Sequence, residues 1–202
     1  MVARIAFIVV IAFSIGMGIA LFLRHDAQQG GVVQSGKALI GGEFSLTNQK
    51  GEPVTDKDFH GKYMLVSFGY TFCPDVCPAE LQLMTDAMDK LGDKQSEVVP
   101  VFVTIDPARD TVEKMRDYVS NFHPRMVGLT GTEEQIKQAA EAYHVFYAKT
   151  ETEKADDQYY LMDHSAFIYL MDRNGQYLRH FPYGTNADDL AAAISKEISA
   201  SS

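Results

Sequence analysis

The stretch "YMLVSFGYTFCPDVCPAELQLMTDAMDKL" joins an almost uninterrupted apolar run, residues 63–70, to a helical pattern that opens at Pro78. A run that is apolar at consecutive positions belongs to a strand covered on both faces, the setting of parallel sheets packed between helices. In the helical part Leu81, Met84, Met88 and Leu91 recur three or four residues apart, and Gly92 closes the pattern. Proline at the start and glycine past the end are the usual punctuation of a helix. A chain built around this unit is committed to an α/β fold. The junction also holds Cys73 and Cys77, the two cysteines of the chain, each followed by a proline.

The alternation continues downstream. "VVPVFVTI" (98–105) reads as a second strand, and "TVEKMRDYVSNF" places Val112, Met115, Val119 and Phe122 on one helical face. "MVGLT" is a short strand, and "TEEQIKQAAEAY" opens with Thr132 and Gln135 at capping-box spacing. "SAFIYLMDRNGQYLRHF" reads as a hairpin turning at Asn174-Gly175, followed by a helix near 187–198 that carries Leu190, Ile194 and Ile198. Upstream, "FSLTNQKGEPVTDKDFHGK" is a short hairpin turning at Lys50-Gly51. The order is βαβ, an inserted αβα segment, then ββα. With a cysteine pair at the first strand-to-helix junction, this is a thioredoxin-like arrangement preceded by an N-terminal hairpin.

The first residues differ in kind. "IAFIVVIAFSIGMGIALFL" (5–23) contains no charge and is flanked by Arg4 and Arg24. At ~1.5 Å per residue, a helix of that length crosses a hydrocarbon core of about 30 Å. A cleaved signal peptide is the rival reading. Its apolar core is usually about 7–15 residues long, and Arg24-His25 stand where small residues would be cleaved. The expectation is a transmembrane anchor with a short cytoplasmic N-terminus over 1–24, a Gly- and Gln-rich linker over 25–42, and a domain over 43–202. That places a single-pass protein in the inner (cytoplasmic) membrane with its domain in the periplasm. A formal net charge of −9, with no basic run, argues against nucleic acid as a partner. An oxidising compartment makes the cysteine pair a redox element, a metal site or a staple.

Pro78 at the first helical position would make Cys77 the N-cap, with Cys73 one turn earlier. Unpaired amides and the positive end of the helix dipole stabilise a thiolate there, and a thiolate is both nucleophile and metal ligand. The spacing is Cys-x-x-x-Cys, one residue longer than in thioredoxin-type oxidoreductases. Two thiolates are a soft donor set suited to Cu(I) or Zn(II), and they need a further donor. Among six histidines His164 stands out, in "LMDHSAF" just before the strand 166–171. In a thioredoxin fold the loop entering that strand faces the cysteine helix. Thioredoxins carry a cis-proline in it, where this chain has Asp163-His164. Cys73, Cys77 and His164 would then form an S,S,N triad.

Plainer readings compete at each position. A structural disulfide between Cys73 and Cys77 would close too short a loop to stabilise the chain much. His60, His123, His144 and His180 lack any such placement and read as surface or core histidines, and His25 as a linker residue. Met84, Met88 and Met115 fall on apolar helix faces and read as core. Asp106-Pro107 ends a strand, and Asp110 or Thr111 caps the next helix. Asp163 is placed to orient His164, and Asp75 to add negative charge near the sulfurs. The acidic "TETEKADDQ" (150–158) is most simply a solvated loop, with a flap or partner contact beside the site as the functional alternative.

Four stretches, "GGEFSLTNQKGEPVTDKDFHGK", "GYTFCPDVCPAEL", "FVTIDPARDT" and "MDHSAFIYLMDRNG", resemble the Sco/SenC family of membrane-anchored copper chaperones for cytochrome c oxidase assembly. The resemblance covers most of the chain from Gly41 onward. It implies a copper site at Cys73, Cys77 and His164 and a role in building the binuclear copper centre of cytochrome c oxidase subunit II. Thiolates favour Cu(I), and the imidazole makes Cu(II) tolerable. Such a carrier also needs an upstream copper donor or a thiol reductant. A function of another class uses the same cysteines: a thiol-disulfide oxidoreductase that reduces the cysteines of the acceptor. Metal delivery requires His164; dithiol chemistry does not.

Overall fold

The computed structural model describes residues 40–150 and 160–200. Its main sheet has seven strands in the order β2-β1-β5-β4-β3-β8-β9. Strands β1 (Ser45–Asn48) and β2 (Pro53–Thr55) form the hairpin expected at Lys50-Gly51, with Gly51 at φ 84°. Strands β3 (Tyr63–Gly69), β4 (Val98–Thr104) and β5 (Val127–Thr130) run parallel. On the other side of β3, strands β8 (Phe167–Met171) and β9 (Tyr177–Pro182) continue the sheet antiparallel. The helices are α1 (Val76–Lys90), α2 (Val112–Val119), α3 (Glu133–Ala142) and α4 (Ala187–Ala200). The inserted αβα segment is α2-β5-α3.

The central strand explains its own composition. All seven residues of β3 are buried. Met64, Val66 and Phe68 enter a core shared with Ile136 and Ala139 of α3. Tyr63 and Leu65 enter a second core, with Leu81, Met84 and Met88 of α1, Met115 of α2, and Leu190 and Ile194 of α4. One strand feeds two cores, so no position on it is left for a polar residue facing water. Met84, Met88 and Met115 are fully buried packing residues, as expected, each contributing roughly 1.5–3 kcal/mol.

The helix starts depart from expectation in an informative way. Thr132 and Gln135 make both bonds of a capping box on α3. On α2 the cap is Thr111, whose hydroxyl accepts the Lys114 N–H at 3.3 Å, while Asp110 turns elsewhere. Helix α1 begins at Val76 with Asp75 at the N-cap position, so Cys77 is the second helical residue and Pro78 the third. Proline is accepted there because the first amides of a helix have no partner within it. The Cys77 N–H instead donates to the Cys73 sulfur at 3.5 Å, in the place a capping oxygen usually takes.

Two short strands complete the fold. β6 (Tyr147–Lys149) and β7 (Met162–His164) pair antiparallel as a separate ribbon, with Tyr147 opposite His164. His164 therefore ends a strand of its own, not a loop that enters β8. At the other end, the Gly41 N–H donates to the Ala142 carbonyl at 2.8 Å, tying the chain to α3 ahead of β1. Among the described residues no helix is long and apolar enough to cross a membrane. The apolar run 5–23, the linker up to residue 39 and the acidic stretch 151–158 lie outside the described residues.

Candidate metal centre

The carboxyl ends of β3 and β4 open onto one edge of the sheet, the usual place for a site in a parallel α/β core. Cys73 lies on the loop leaving β3, Cys77 in the first turn of α1, and His164 at the end of β7. Their ligand atoms all lie within 4.8 Å of one another, and these three alone form such a group among the described residues. His164 Nε2 is 3.3 Å from Cys77 Sγ. His164 Nδ1 lies 3.1 Å from the Ser165 carbonyl, which can only accept, so Nδ1 carries the proton and Nε2 faces the sulfurs. The Tyr70 ring meets the imidazole edge-on, with centroids 6.2 Å apart.

The two sulfurs have different settings. Cys77 is 1% exposed, whereas Cys73 is half-buried. A hydrogen bond from the Cys77 thiol holds Cys73 down at about 3; His164 and the Asp75 and Cys77 amides add to this, against burial. The same hydrogen bond to Cys73, followed by burial, pushes Cys77 upward. The two sulfurs are therefore shifted in opposite directions, Cys73 becoming the more acidic and Cys77 the less acidic of the pair. For His164 burial pulls downward, but the Cys73 sulfur, the Ser165 carbonyl and Glu80 outweigh it and the net shift is upward. Glu80, one turn into α1 and 2% exposed, is raised to about 7 by burial. Its Oε2 accepts the Ser67 hydroxyl at 3.1 Å, while Oε1 has no partner among the described residues.

Beneath the cysteine loop lies a polar anchor. The Thr71 N–H and hydroxyl donate to the Asp110 carboxylate at 3.0 and 2.6 Å, and the Thr104 hydroxyl donates to the same group at 2.5 Å. Asp110 is fully buried, and burial raises its pKa against these bonds. Beside it, Asp106 pairs with Arg109 and accepts the Tyr160 hydroxyl at 2.6 Å.

The structure brings together the three residues picked out as ligands and gives the four other histidines among the described residues separate settings. His123 is buried between Gln95 and the Arg125 amide, His180 bonds the Tyr177 hydroxyl, and His60 lies 4.0 Å from Asp56. His144 follows α3 in the left-handed region at φ 54°. Asp163 and Asp75 are both exposed, and the group that orients His164 is the Ser165 carbonyl. Sequence reading passed over Glu80, Asp110 as an anchor, and Arg109. A carboxylate at a buried helical position was the available signal for Glu80.

Two soft sulfurs and an imidazole nitrogen facing them form a three-donor set that suits copper. Structural zinc sites usually complete four protein ligands. The sequence model described as SCO1/SenC matches residues 32–199. The chain belongs to the SCO1/SenC family. An SCO2-like protein of Rickettsia conorii is 39% identical over 200 residues, covering 96% of this chain and 97% of that one. The mitochondrial SCO1 homolog 1 of Arabidopsis thaliana is 44% identical over 165 residues, covering 81% of this chain and 48% of its own length. Sco structures are similar throughout the domain. Arabidopsis thaliana ScoI with copper bound gives a TM-score of 0.73 at 44% identity, covering 79% of this chain and 98% of that one. Bradyrhizobium japonicum ScoI with copper bound gives 0.71 at 40% identity, covering 78% and 98%. BsSco, described as carrying a disulfide switch and as a member of the Sco family of cytochrome c oxidase assembly proteins, shares the fold at 23% identity and a TM-score of 0.61, covering 79% and 94%. The mixed α/β architecture is the thioredoxin-like Sco fold.

Proposed function

We propose that this Sco protein binds one copper ion through Cys73, Cys77 and His164 and delivers it to the binuclear copper centre of cytochrome c oxidase subunit II. The observation that carries the proposal is the convergence, within 4.8 Å, of two sulfurs from one strand-to-helix junction and one imidazole nitrogen from a segment 87 residues after Cys77. Copper bound to two Sco relatives of 40–44% identity supports the choice of metal, and the family's association with oxidase assembly supports the client. In this reading residues 5–23 anchor the chain in the cytoplasmic membrane and the domain works in the periplasm, where oxidase is assembled. Loading Cu(I) replaces the Cys77 thiol proton, which passes to solvent, and leaves two thiolates and the imidazole on the metal. Delivery is ligand exchange, an acceptor sulfur arriving as a donor sulfur leaves.

The full-length chain in detergent, reduced without oxygen and titrated with Cu(I) against a competing chelator, tests the site. One tightly held copper, weakened at least tenfold by His164→Ala, is the expected result. Equal binding in both proteins would remove the triad. Transfer from the loaded chain to metal-free subunit II, followed by absorption of the binuclear centre, tests delivery.

A second reading rests on the unequal thiols. Cys73, held as a thiolate, can attack an acceptor disulfide, and Cys77, once deprotonated, can resolve the mixed disulfide. The acceptor gains two electrons as a dithiol and this chain becomes a disulfide, so an external thiol reductant must reset it. Activity that survives His164→Ala would favour this chemistry.

A further inference from the structure

Arg109 lies on the segment between β4 and α2, and its partners come from both parts of the chain that supply ligands. Its Nε–H donates to the Asp106 carboxylate, and Nη1 donates to the Tyr160 carbonyl at 2.9 Å. The guanidinium carbon stands 3.6 Å from the centroid of the Tyr160 ring, 4.9 Å from that of Phe72 and 5.7 Å from that of Tyr70. Each ring is tied to the site. Phe72 directly precedes Cys73. Tyr70 accepts the Met162 N–H at 3.2 Å and touches the His164 ring. Tyr160 leads into β7, which ends at His164, and its hydroxyl is fixed on Asp106.

The ribbon that carries His164 needs such support. Its strands are three residues each, and because a two-stranded ribbon is marginal alone, its placement is set by tertiary contacts: Met162 and Tyr147 on the core, the Tyr70–Met162 bond, and Arg109. The cysteine loop, by contrast, is anchored on the buried Asp110. The separation of imidazole and sulfurs therefore depends on what joins the ribbon to that loop. A planar guanidinium suits the task, because its edge bonds carboxylate and carbonyl while its faces lie against aromatic rings. A lysine would keep the charge without the fork. Nη2 of Arg109 is buried with no acceptor among the described residues, an unfavourable feature for a side chain that served only solubility.

We propose that Arg109 is a positioning residue for the metal site: it clamps the Phe72–Cys73 segment to the Tyr160–His164 segment and so sets the geometry of the three donors. The proposal rests on the reading of Cys73, Cys77 and His164 as metal ligands, and one of its tests needs no metal.

Full-length chain in detergent is compared with Arg109→Gln, Arg109→Lys and Tyr160→Phe, with Lys114→Gln as a control that removes a positive charge from an exposed position of α2. The first measurement is anaerobic Cu(I) competition, with the electron paramagnetic resonance spectrum of the Cu(II) form. The second is the nuclear Overhauser contact between the Tyr70 and His164 rings in metal-free protein. Arg109→Gln and Arg109→Lys are expected to bind copper at least tenfold more weakly, with a changed Cu(II) spectrum and a weakened ring contact. Tyr160→Phe, which keeps the ring and loses the Asp106 bond, is expected to weaken binding two- to fivefold. Lys114→Gln is expected to match wild type. Wild-type affinity, spectrum and ring contact in both arginine variants would overturn the clamp. If wild type itself holds no copper, the metal-site reading fails, and the ring contact still decides whether Arg109 joins the two segments. If the arginine variants do not fold, Tyr160→Phe decides: an unchanged affinity and ring contact there overturns the proposal.

Discussion

Gly69 and Cys77 are packed so closely that a methyl group on Gly69 would stand 2.7 Å from the Cys77 sulfur and 2.9 Å from Cε2 of Phe102. The last residue of β3 is thus bare because the Cys77 sulfur occupies the space where a side chain would be. Gly69→Ala is expected to displace Cys77 and weaken Cu(I) binding at least tenfold. The overlap also costs stability, on the order of 1–3 kcal/mol for overpacking. Competition titration and urea melts measure the two effects; wild-type values in both would show that the sulfur moves aside freely.

Cys73 should be the reactive thiol of the metal-free protein. Its pKa is lowered to about 3, chiefly by the hydrogen bond from Cys77, so a thiolate is expected across the neutral range. Its carboxymethylation rate should stay nearly flat between pH 5 and pH 9, whereas an ordinary thiol gains about tenfold per unit below ~8.5. Cys77, shifted upward and buried, should react only after unfolding. Peptide mapping of the alkylated sites separates the two, and a rise at Cys73 centred near pH 8.5 would contradict the assignment.

Glu80 gives stability a definite pH dependence. Its folded pKa is raised to about 7 from 4.5, so the folded state holds this proton more tightly than the unfolded chain does. That contribution is complete below about pH 4.5 and is lost as pH rises through about 7. Glu80→Gln keeps an acceptor for Ser67 and cannot ionise. At pH 8 it should be more stable than wild type by up to about 3 kcal/mol, the equivalent of a shift this size. The gain should vanish near pH 4.5. Urea melts at pH 4.5, 6 and 8 are the measurement, and a pH-independent difference would count against a buried, ionising Glu80.

Asp110 is the anchor of the cysteine loop. Asp110→Ala leaves the Thr71 N–H and the Thr71 and Thr104 hydroxyls without their acceptor. Each buried donor left unpaired costs about 1–3 kcal/mol, so a loss of several kcal/mol is expected. Asp110→Asn should retain part of it. If the alanine variant melts as wild type does, the network is not holding the loop.

Much of this was legible from sequence because local rules agreed with tertiary needs. The apolar run over β3, the Lys50-Gly51 and Asn174-Gly175 turns, and the Thr132–Gln135 box follow from period and turn chemistry, and each recurs in the structure. The triad was reachable because a cysteine pair at a strand-to-helix junction limits which later segment can face it. What was missed depends on non-local partners. The start of α1 at Val76 involves a sulfur as acceptor for a helix amide, which lies outside the usual capping residues. The β6–β7 ribbon has three-residue strands, too short for an alternating pattern, and its pairing joins positions 17 apart in Tyr147 and His164. Asp110 read only as a candidate cap for the next helix and Arg109 carried no local signal, because their partners Thr71, Phe72 and Tyr160 lie far away in sequence.

The unequal burial of the two sulfurs gives the proposed handover a direction in time. A ligand arriving from solvent meets Cys73 first, while Cys77 stays covered at 1% exposure. In such a handover the outer bond would be the first to be replaced and the inner one the last to break. The ion would pass through a stage shared by both proteins and would never be set free between them.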